Sequence, residues 1–460
     1  MSGRLAPVKV NDIIAIEIND INHQGEGVGR YHDFAVFVPS TSPGEKISAR
    51  ITEVKKSFAR GRLVEILDKS VDRCEPNCQE HIQCGGCHLQ HINYSLQLEL
   101  KRKLVQDNIK RIGGLKDVPV LPTIGMDIPW HYRNKVQLQV GSRDKKIILG
   151  FYAVGSHELV KDSGQCGIVN ERLNEIILIL EELLKKYHVR PFNWENKTGL
   201  LRHVILRIAI KSGQVMLILV TVSKEWPEQK IFCNELRHRC PDIVSIIRII
   251  NKGNNRLATG QKTILLSGKE TITDYIDGLA FDISALSFYQ INPIQTLKLY
   301  DKAREYARLS GSETVIDAYC GIGTVALYLS RYAARVIGLE QVSGAVKDAK
   351  NNAATNNINN TEFQCGTVEK LLPAMAKEQL FPEVIILDPP RQGCKPSVLD
   401  AIAKMKVSRV VYISCNPSTL ARDMRILSDH GYNVIEVQPV DMFPQTAHVE
   451  CVTLMSKVEK

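Results

Sequence analysis

Four short apolar runs, Thr314–Ala318, Val336–Leu339, Val384–Leu387 and Val410–Ser414, recur through the C-terminal part of the chain with helical periodicity between them. Runs without alternating polar positions read as strands buried on both faces. Their alternation with helices implies a parallel, doubly wound sheet, beginning at about Phe281. Such a sheet gathers its ligand-binding loops at the carboxyl ends of its strands. It also needs only part of the 460 residues, and a chain of that length exceeds one hydrophobic core, so three units are expected.

The first unit spans residues 1–70. Between 8 and 67, period-two alternation at Ile14, Ile16 and Ile18, then Ala35–Val38, Ile47–Val54 and Leu63–Leu67, is broken by Gly25, Gly27, Gly29 and Pro43-Gly44. About five short strands in so few residues predict a small closed barrel of the oligonucleotide-binding type, because closure removes exposed edges. Lys46, Arg50, Lys55, Lys56, Arg60 and Arg62 face a single acid, Glu53. That stretch suits phosphate tracking, and a solvated strand surface would look the same. The second unit, 71–280, mixes helices at Leu89–Ile112, Glu171–Lys186 and Pro227–Arg239 with strands at Val136–Val140, Val204–Ile210 and Val215–Val222, an α+β pattern. The third unit is 281–460. The net charge of +9 favours a polyanionic partner. Met1–Val10 lacks the apolar stretch of a signal peptide and runs such as Ile176–Leu180 are too short to span a bilayer, so a cytoplasmic protein is expected.

Asp317-Ala318-Tyr319-Cys320-Gly321-Ile322-Gly323-Thr324 follows the first buried strand and opens a helix, where backbone amides can approach a nucleotide. Gly321-x-Gly323-x-x-Ala326 also fits dinucleotide enzymes, and Glu340 at the next strand end could accept ribose hydroxyls in either class. Asp388-Pro389-Pro390-Arg391 separates the two. An acid-Pro-Pro loop stands beside the methyl donor in methyltransferases and has no use in a dehydrogenase, and the prolines stiffen it. Enzymes that methylate exocyclic amines usually place an aromatic residue where Arg391 stands, which disfavours that chemistry.

Ser414-Cys415-Asn416-Pro417 ends the fourth strand, placing Cys415 where open α/β sheets keep their active sites. Uracil C5 is too weak a nucleophile to take a methyl from a sulfonium unless a thiolate first adds at C6. After transfer a base must remove the C5 proton. Glu450, just before a final apolar strand, is the candidate, with His448 as its rival.

The blocks Ser287-Phe288-Tyr289-Gln290-Ile291-Asn292-Pro293, Asp317–Thr324, Asp388–Gly393, Tyr412–Pro417 and His448–Cys451 together resemble the RNA (uracil-5)-methyltransferase family. The resemblance implies a Rossmann-like catalytic domain. It further implies Cys415 as nucleophile, Glu450 as base, Gln290, Tyr319, Glu340 and Asp388 around S-adenosylmethionine, and Phe288 near cofactor or base. In some members an asparagine follows the second glycine and another stands near residue 367; this chain has Thr324 and Thr367. The barrel is similar to the TRAM module of the same family and implies RNA binding.

Cys78, Cys84 and Cys87 form C-x5-C-G-G-C, a metal-binding signal in a cytosolic chain, and spacing alone leaves zinc and a [4Fe–4S] cluster open. The ribosomal branch of the resembled family carries a [4Fe–4S] cluster with this spacing and a distant fourth cysteine, here matched by Cys166, with Cys74 as an alternative. The reaction has no redox task, so a structural or RNA-positioning role is expected. The expected activity is methylation of 23S ribosomal RNA. Transfer RNA as substrate, or a non-catalytic RNA-binding assembly factor on the same fold, are the alternatives. No protein partner is expected.

Overall fold

A computed structural model of the protein describes residues 6–143, 146–160, 165–223, 226–253, 260 and 262–458. Strands β1 (Ile13–Ile21), β2 (Gly27–Tyr31), β3 (Phe34–Val38), β4 (Lys46–Val54) and β5 (Phe58–Asp68) close into a barrel in the order β1-β2-β3-β5-β4. Alternation carries Ile14, Ile16, Ile18, Val36, Val38, Ile47, Ala49 and Ile51 into one core. The barrel is tied to the cysteine-rich segment by a buried ion pair. Arg73 Nε lies 2.5 Å from Glu45 Oε1, the Glu45 side chain is fully buried, and the same guanidinium donates to the Ser40 carbonyl at 2.7 Å.

Helix α1 (Tyr94–Arg111) starts later than the apolar spacing predicts. Residues 88–92 have other bonds to make: the amides of His88 and Leu89 donate to the Gln445 carbonyl, and Gln97 Nε2 takes the carbonyls of Leu89 and Ile92. Asn93 then caps the helix by accepting from Leu96 N at 2.8 Å.

The central sheet has the order β12-β11-β10-β9-β6-β7-β8. Its strands are β6 (Lys135–Arg143), β7 (Lys146–Tyr152), β8 (Leu159–Val160), β9 (Leu201–Ile208), β10 (Val215–Thr221), β11 (Ile243–Ile250) and β12 (Lys262–Gly268). Only the β10–β11 pairing is parallel among them. Helices α2 (Glu171–Lys186) and α3 (Gln229–Arg239) bury their apolar stripes on it. A hairpin of β13 (Thr271–Ile276) and β14 (Leu279–Ser284) leads into the last unit and shares its core.

That unit is a seven-stranded sheet, β17-β16-β15-β18-β19-β21-β20. It comprises β15 (Thr314–Ala318), β16 (Arg335–Glu340), β17 (Thr361–Cys365), β18 (Val384–Leu387), β19 (Arg409–Ser414), β20 (Tyr432–Val440) and β21 (Glu450–Lys457). The first five are parallel, while β21 runs antiparallel to both its neighbours. Helices α4 (Pro293–Ala307), α5 (Thr324–Ser330), α6 (Ser343–Thr355), α7 (Val368–Lys377), α8 (Pro396–Lys404) and α9 (Pro417–Asp429) flank it. Helix α1 packs on α9, where Ser418 Oγ donates to Asn108 Oδ1 at 2.7 Å. The chain reverses direction between β15 and β18, which opens a crevice beyond their carboxyl ends. Among the described residues no helix is long and apolar enough to cross a membrane.

The Arg73–Glu45 pair gives a test of the barrel's attachment. Arg73→Met leaves the Glu45 carboxylate buried without its cation and is expected to destabilise the protein by about 3–5 kcal/mol, read as a lowered midpoint in urea denaturation. Pairing it with Glu45→Met is expected to recover most of the loss.

Candidate active site

The antiparallel register of β19 and β21 sets Ser414 opposite Cys451, so the next pair at the strand ends is Cys415 and Glu450. Asp388 emerges from β18 beside them, and Asp317 is the penultimate residue of β15 one strand further on. Four ionisable groups therefore share one desolvated crevice. Burial pushes Asp388 up to about 7. Burial and then the charge of Asp388 push Glu450, which is 5% exposed, up to about 8. Asp317 is pushed well above the carboxylate range, chiefly by burial and then by the charge of Asp388, against a lowering pull from the Ala326 backbone amide. The Cys415 thiol is raised by burial, then by Glu450 and Asp388, against a lowering pull from Arg391.

Arg391 is held in place by its own backbone. Its carbonyl accepts from Asn416 Nδ2 at 3.0 Å and Thr419 Oγ1 at 3.3 Å, while Arg422 bonds the carbonyls of Gln392 and Cys394. Asp423, fully buried, accepts from Cys394 N and from Tyr412 OH. The acid-Pro-Pro loop is thus fastened to the first turns of α9, the helix that Cys415 precedes. His448 lies nearby, its ring 5.8 Å from that of His88. Burial, then the positive surroundings of His88, Arg391, Lys101 and Arg133, push it down to about 4.

On the other side of the crevice the turn after β15 is strained. Tyr319 adopts φ 69°, a left-handed conformation that costs a non-glycine residue about 1 kcal/mol or more and clusters at functional sites. Gly321 follows at φ 56°, and a Cβ there would project into open space with nothing within 4 Å. Gly323, at φ 83°, caps α5 and would drive a Cβ to 3.1 Å from the Phe363 ring. Glu340 accepts from Gly321 N at 3.1 Å and Val342 N at 2.7 Å, locking the glycine turn to the end of β16. The cavity beside this turn measures about 550 Å³, and Gly321, Glu340, Ser287 and Phe288 line it with Ile247 and Leu265 of the central sheet. Its volume lies in the range of small-molecule and cofactor sites. Phe288 is 69% exposed at its edge, while Gln290 is 6% exposed, its carbonyl held by Asn134 Nδ2 at 3.0 Å. Thr324 spends its hydroxyl on Tyr300 OH at 2.8 Å, and Thr367 precedes α7 without a side-chain capping bond.

The structure thus brings Tyr319, Glu340, Asp388, Cys415 and Glu450 to one edge of one sheet. Two features escaped the sequence. Asp317 belongs to a quoted block without an assigned role, and only its burial among other acids distinguishes it. Lys101 and Asp441, which support the loop before Glu450, are far apart in sequence and carry no motif.

The four cysteines are drawn together more loosely. Cys87 and Cys166 pack against the same small cluster of Met126, Tyr132 and Ile168. Cys84 and Cys87 each feel the Cys166 thiol electrostatically, and Cys84 also feels Cys78. Desolvation pushes Cys87 up to about 12. None of the four is in a disulfide. Among the described residues no three His, Cys, Asp or Glu side chains stand close enough to form a metal site.

Residues 258–458 match the family model described as tRNA (Uracil-5-)-methyltransferase, and residues 7–64 match the TRAM domain. A Bacillus cereus protein named "uncharacterized RNA methyltransferase" is 45% identical over 100% of both chains. One of the same name from Clostridium acetobutylicum is 45% identical over 99% of this chain and 100% of its own. The crystal structure of Pyrococcus abyssi tRNA (uracil-54, C5)-methyltransferase, in complex with S-adenosyl-L-homocysteine, superposes with a TM-score of 0.76 at 29% identity, covering 96% of this chain and 99% of that one. Glycine turn, acid-Pro-Pro loop, strand-end cysteine and facing glutamate on a TRAM-bearing chain agree with these matches, and the chain belongs to the RNA (uracil-5)-methyltransferase family.

Proposed function

We propose that this protein transfers a methyl group from S-adenosylmethionine to C5 of uridine in 23S ribosomal RNA, through a covalent bond between Cys415 Sγ and C6. The observation that carries this reading is the pairing of a thiol and a buried, proton-affine carboxyl across the β19–β21 register, at the same end of the sheet as the glycine turn and Glu340, which line a cavity of about 550 Å³. Gln290, Tyr319, Glu340 and Asp388 would hold the methyl donor. The open space at Gly321 is a cradle that a Cβ would fill, and it fits such a group. When bound, the donor supplies an electrophilic methyl on a sulfonium.

The protein's own groups do the rest. Arg391 offsets part of the rise that burial, Glu450 and Asp388 impose on the Cys415 thiol; the thiolate adds to C6 and pushes the ring electrons onto O4. C5 of the resulting enolate takes the methyl. Glu450 removes the C5 proton, the C5–C6 double bond reforms and the thiolate leaves. A carboxylate held near 8 has proton affinity suited to that step, whereas His448, near 4, is a poor acceptor.

RNA would be gathered by the barrel. Lys46, Arg50, Lys56 and Arg62 are exposed, and Arg50 stands directly opposite Arg62 across β4–β5. Like charges facing each other destabilise a sheet by themselves, and a phosphate between them would turn that repulsion to use. Lys55 and Arg60 are already engaged by Glu53 and Glu26. A second reading, transfer RNA as substrate, is favoured by the match over nearly the whole chain to an enzyme whose name specifies tRNA. That match also shows that a barrel-bearing architecture does not by itself separate the two branches. We further propose that Cys78, Cys84, Cys87 and Cys166 hold a [4Fe–4S] cluster. An all-thiol donor set with Cys87 and Cys166 on one apolar cluster supports it, although among the described residues the sulfurs do not stand close enough together to hold a metal without rearrangement.

Cys415→Ala is expected to abolish methylation and any RNA adduct, whereas Glu450→Gln should accumulate a methylated enzyme–RNA adduct that survives denaturing electrophoresis. Because Glu450 must be ionised to act, kcat/KM of the parent should rise with pH through about 8. The sign for stability is opposite: raising the pH from the ordinary 4.5 to about 8 ionises the unfolded chain first, so burial of Glu450 destabilises the fold progressively across that window. Glu450→Gln should therefore melt above the parent at pH 9 and equal it at pH 4. A wild-type rate in Glu450→Gln would refute its role.

Mapping 5-methyluridine in ribosomal and transfer RNA from a strain lacking the protein tests the substrate. Loss of the modification from 23S RNA is expected, and loss from tRNA alone would decide for the second reading. Anaerobic purification is expected to yield about four irons and four sulfides per chain, and stoichiometric zinc without iron would overturn the cluster.

A further inference from the structure

The segment 441–449, which leads directly into Glu450, has no regular secondary structure, yet five of its carbonyls in succession are bonded from outside the segment. Asp441 O accepts from Gln295 Nε2 at 3.1 Å and Met442 O from Asn292 Nδ2 at 3.1 Å. Phe443 O accepts from Lys101 Nζ at 3.1 Å, and Pro444 O from Tyr132 OH at 3.0 Å. Gln445 O accepts from the amides of His88 and Leu89 at 2.9 and 3.0 Å. At the head of the segment Lys101 Nζ lies 2.5 Å from Asp441 Oδ1, both side chains wholly buried, and Tyr94 OH donates to the other carboxylate oxygen at 2.9 Å. Gln445, at φ 69°, exchanges two hydrogen bonds with the Gln97 amide. The donors come from α1, from the residues after Cys87, from Tyr132 and from the start of α4.

A chain end could be buried here with far less. Irregular backbone satisfies its carbonyls most cheaply with water, whereas this segment excludes water and takes its partners from four separate stretches of sequence. A buried lysine–aspartate pair contributes little net stability but defines one geometry, since any displacement strands a charge in the core. The immediate product of that geometry is the position of Glu450 opposite Cys415.

We propose that Lys101, Asp441 and Tyr132 are positioning residues for the base: they hold the segment so that the Glu450 carboxyl meets the C5 proton of the methylated adduct. This rests on the reading of Glu450 as the base. None of the three need touch RNA or methyl donor. Their contribution belongs to one step, removal of the proton and release of Cys415, and leaves thiolate addition and methyl transfer to groups held by other loops.

The test uses the full-length protein with radiolabelled RNA and methyl donor, and reads turnover and denaturation-resistant adduct side by side. Lys101→Met combined with Asp441→Asn keeps the side-chain volume and removes both charges, and Tyr132→Phe removes a single hydroxyl and is expected to fold normally by circular dichroism. Turnover should fall on the order of a hundredfold in the double variant and tenfold in Tyr132→Phe, as small misplacements of a catalytic group do. The adduct should accumulate in both, and KM for RNA should be unchanged. A purely structural role predicts that adduct and turnover fall together. That outcome in folded Tyr132→Phe, or wild-type turnover there, would overturn the proposal. Glu450→Gln is the control: adduct there but none in the positioning variants sinks this inference alone, and no adduct in Glu450→Gln sinks the base assignment and this inference with it.

Discussion

The catalytic half of the molecule depends on holding the buried Asp317 and Glu450 beside Asp388 and Cys415, which keep only partial access to water. Burial is the first cause that raises the proton affinity of each group, and the charge of Asp388 adds to it at Asp317, Glu450 and Cys415. Near neutral pH the crevice therefore holds protons that the same groups would have lost in solution. On the proposed mechanism that suits a site that must first tolerate an anionic thiolate and then take a proton from carbon. A fully ionised set would repel both the thiolate and the approaching phosphates. Arg391 supplies the counterweight at the thiol, and it can do so because its backbone is bonded to the turn that follows Cys415.

What could be read from residue order alone follows from where the physics is local. The buried strands Thr314–Ala318 and Val384–Leu387 coincide with the apolar runs, because a strand covered on both faces leaves a continuous signature. The edge strand Thr361–Cys365 escaped, since TEFQC alternates without a run. The hairpin Thr271–Ser284 escaped because its apolar positions are completed by a core lying elsewhere in the chain. Helix α1 was legible as a helix but not in its start, which is set by bonds from residues 88–97 to Gln445, almost 350 positions away. Strand-end residues such as Asp388 and Cys415 were legible as candidates because a parallel sheet has only one edge for chemistry. Their electrostatic coupling was not, as it depends on the lateral order of β15, β18, β19 and β21.

The same distinction explains the cysteine-rich segment. Its spacing is a local signal, and its connections are not. Arg73, just before Cys74, anchors it to the barrel through Glu45, and His88, just after Cys87, anchors it to the segment that carries Glu450. Tyr132 completes the circuit, packing with Cys87 and Cys166 on one side and bonding the Pro444 carbonyl on the other. A group that organised the four sulfurs would thereby stiffen the support of the base without entering the chemistry. On the proposed reading, such a group would have a redox-inert role beside a methylation reaction that has no redox step.

The barrel and the crevice also divide recognition in a way that bears on which RNA is chosen. The barrel's unpaired cations, Arg50 and Arg62 among them, can read only the spacing of phosphates, and charge of that kind is indifferent to sequence. On the proposed mechanism the crevice would take a single flipped base, and the exposed ring of Phe288 at the rim of the neighbouring cavity offers a face for stacking that any base could use. Neither end of the molecule therefore distinguishes a ribosomal from a transfer RNA loop by itself. On the proposed mechanism, discrimination would arise from the distance and angle between them, since an RNA would have to reach the barrel with its backbone while its uridine reached Cys415. The Arg73–Glu45 pair and the bonded segment 441–449 fix that separation. Specificity in such a design resides in the rigidity of the connection rather than in any base-reading side chain.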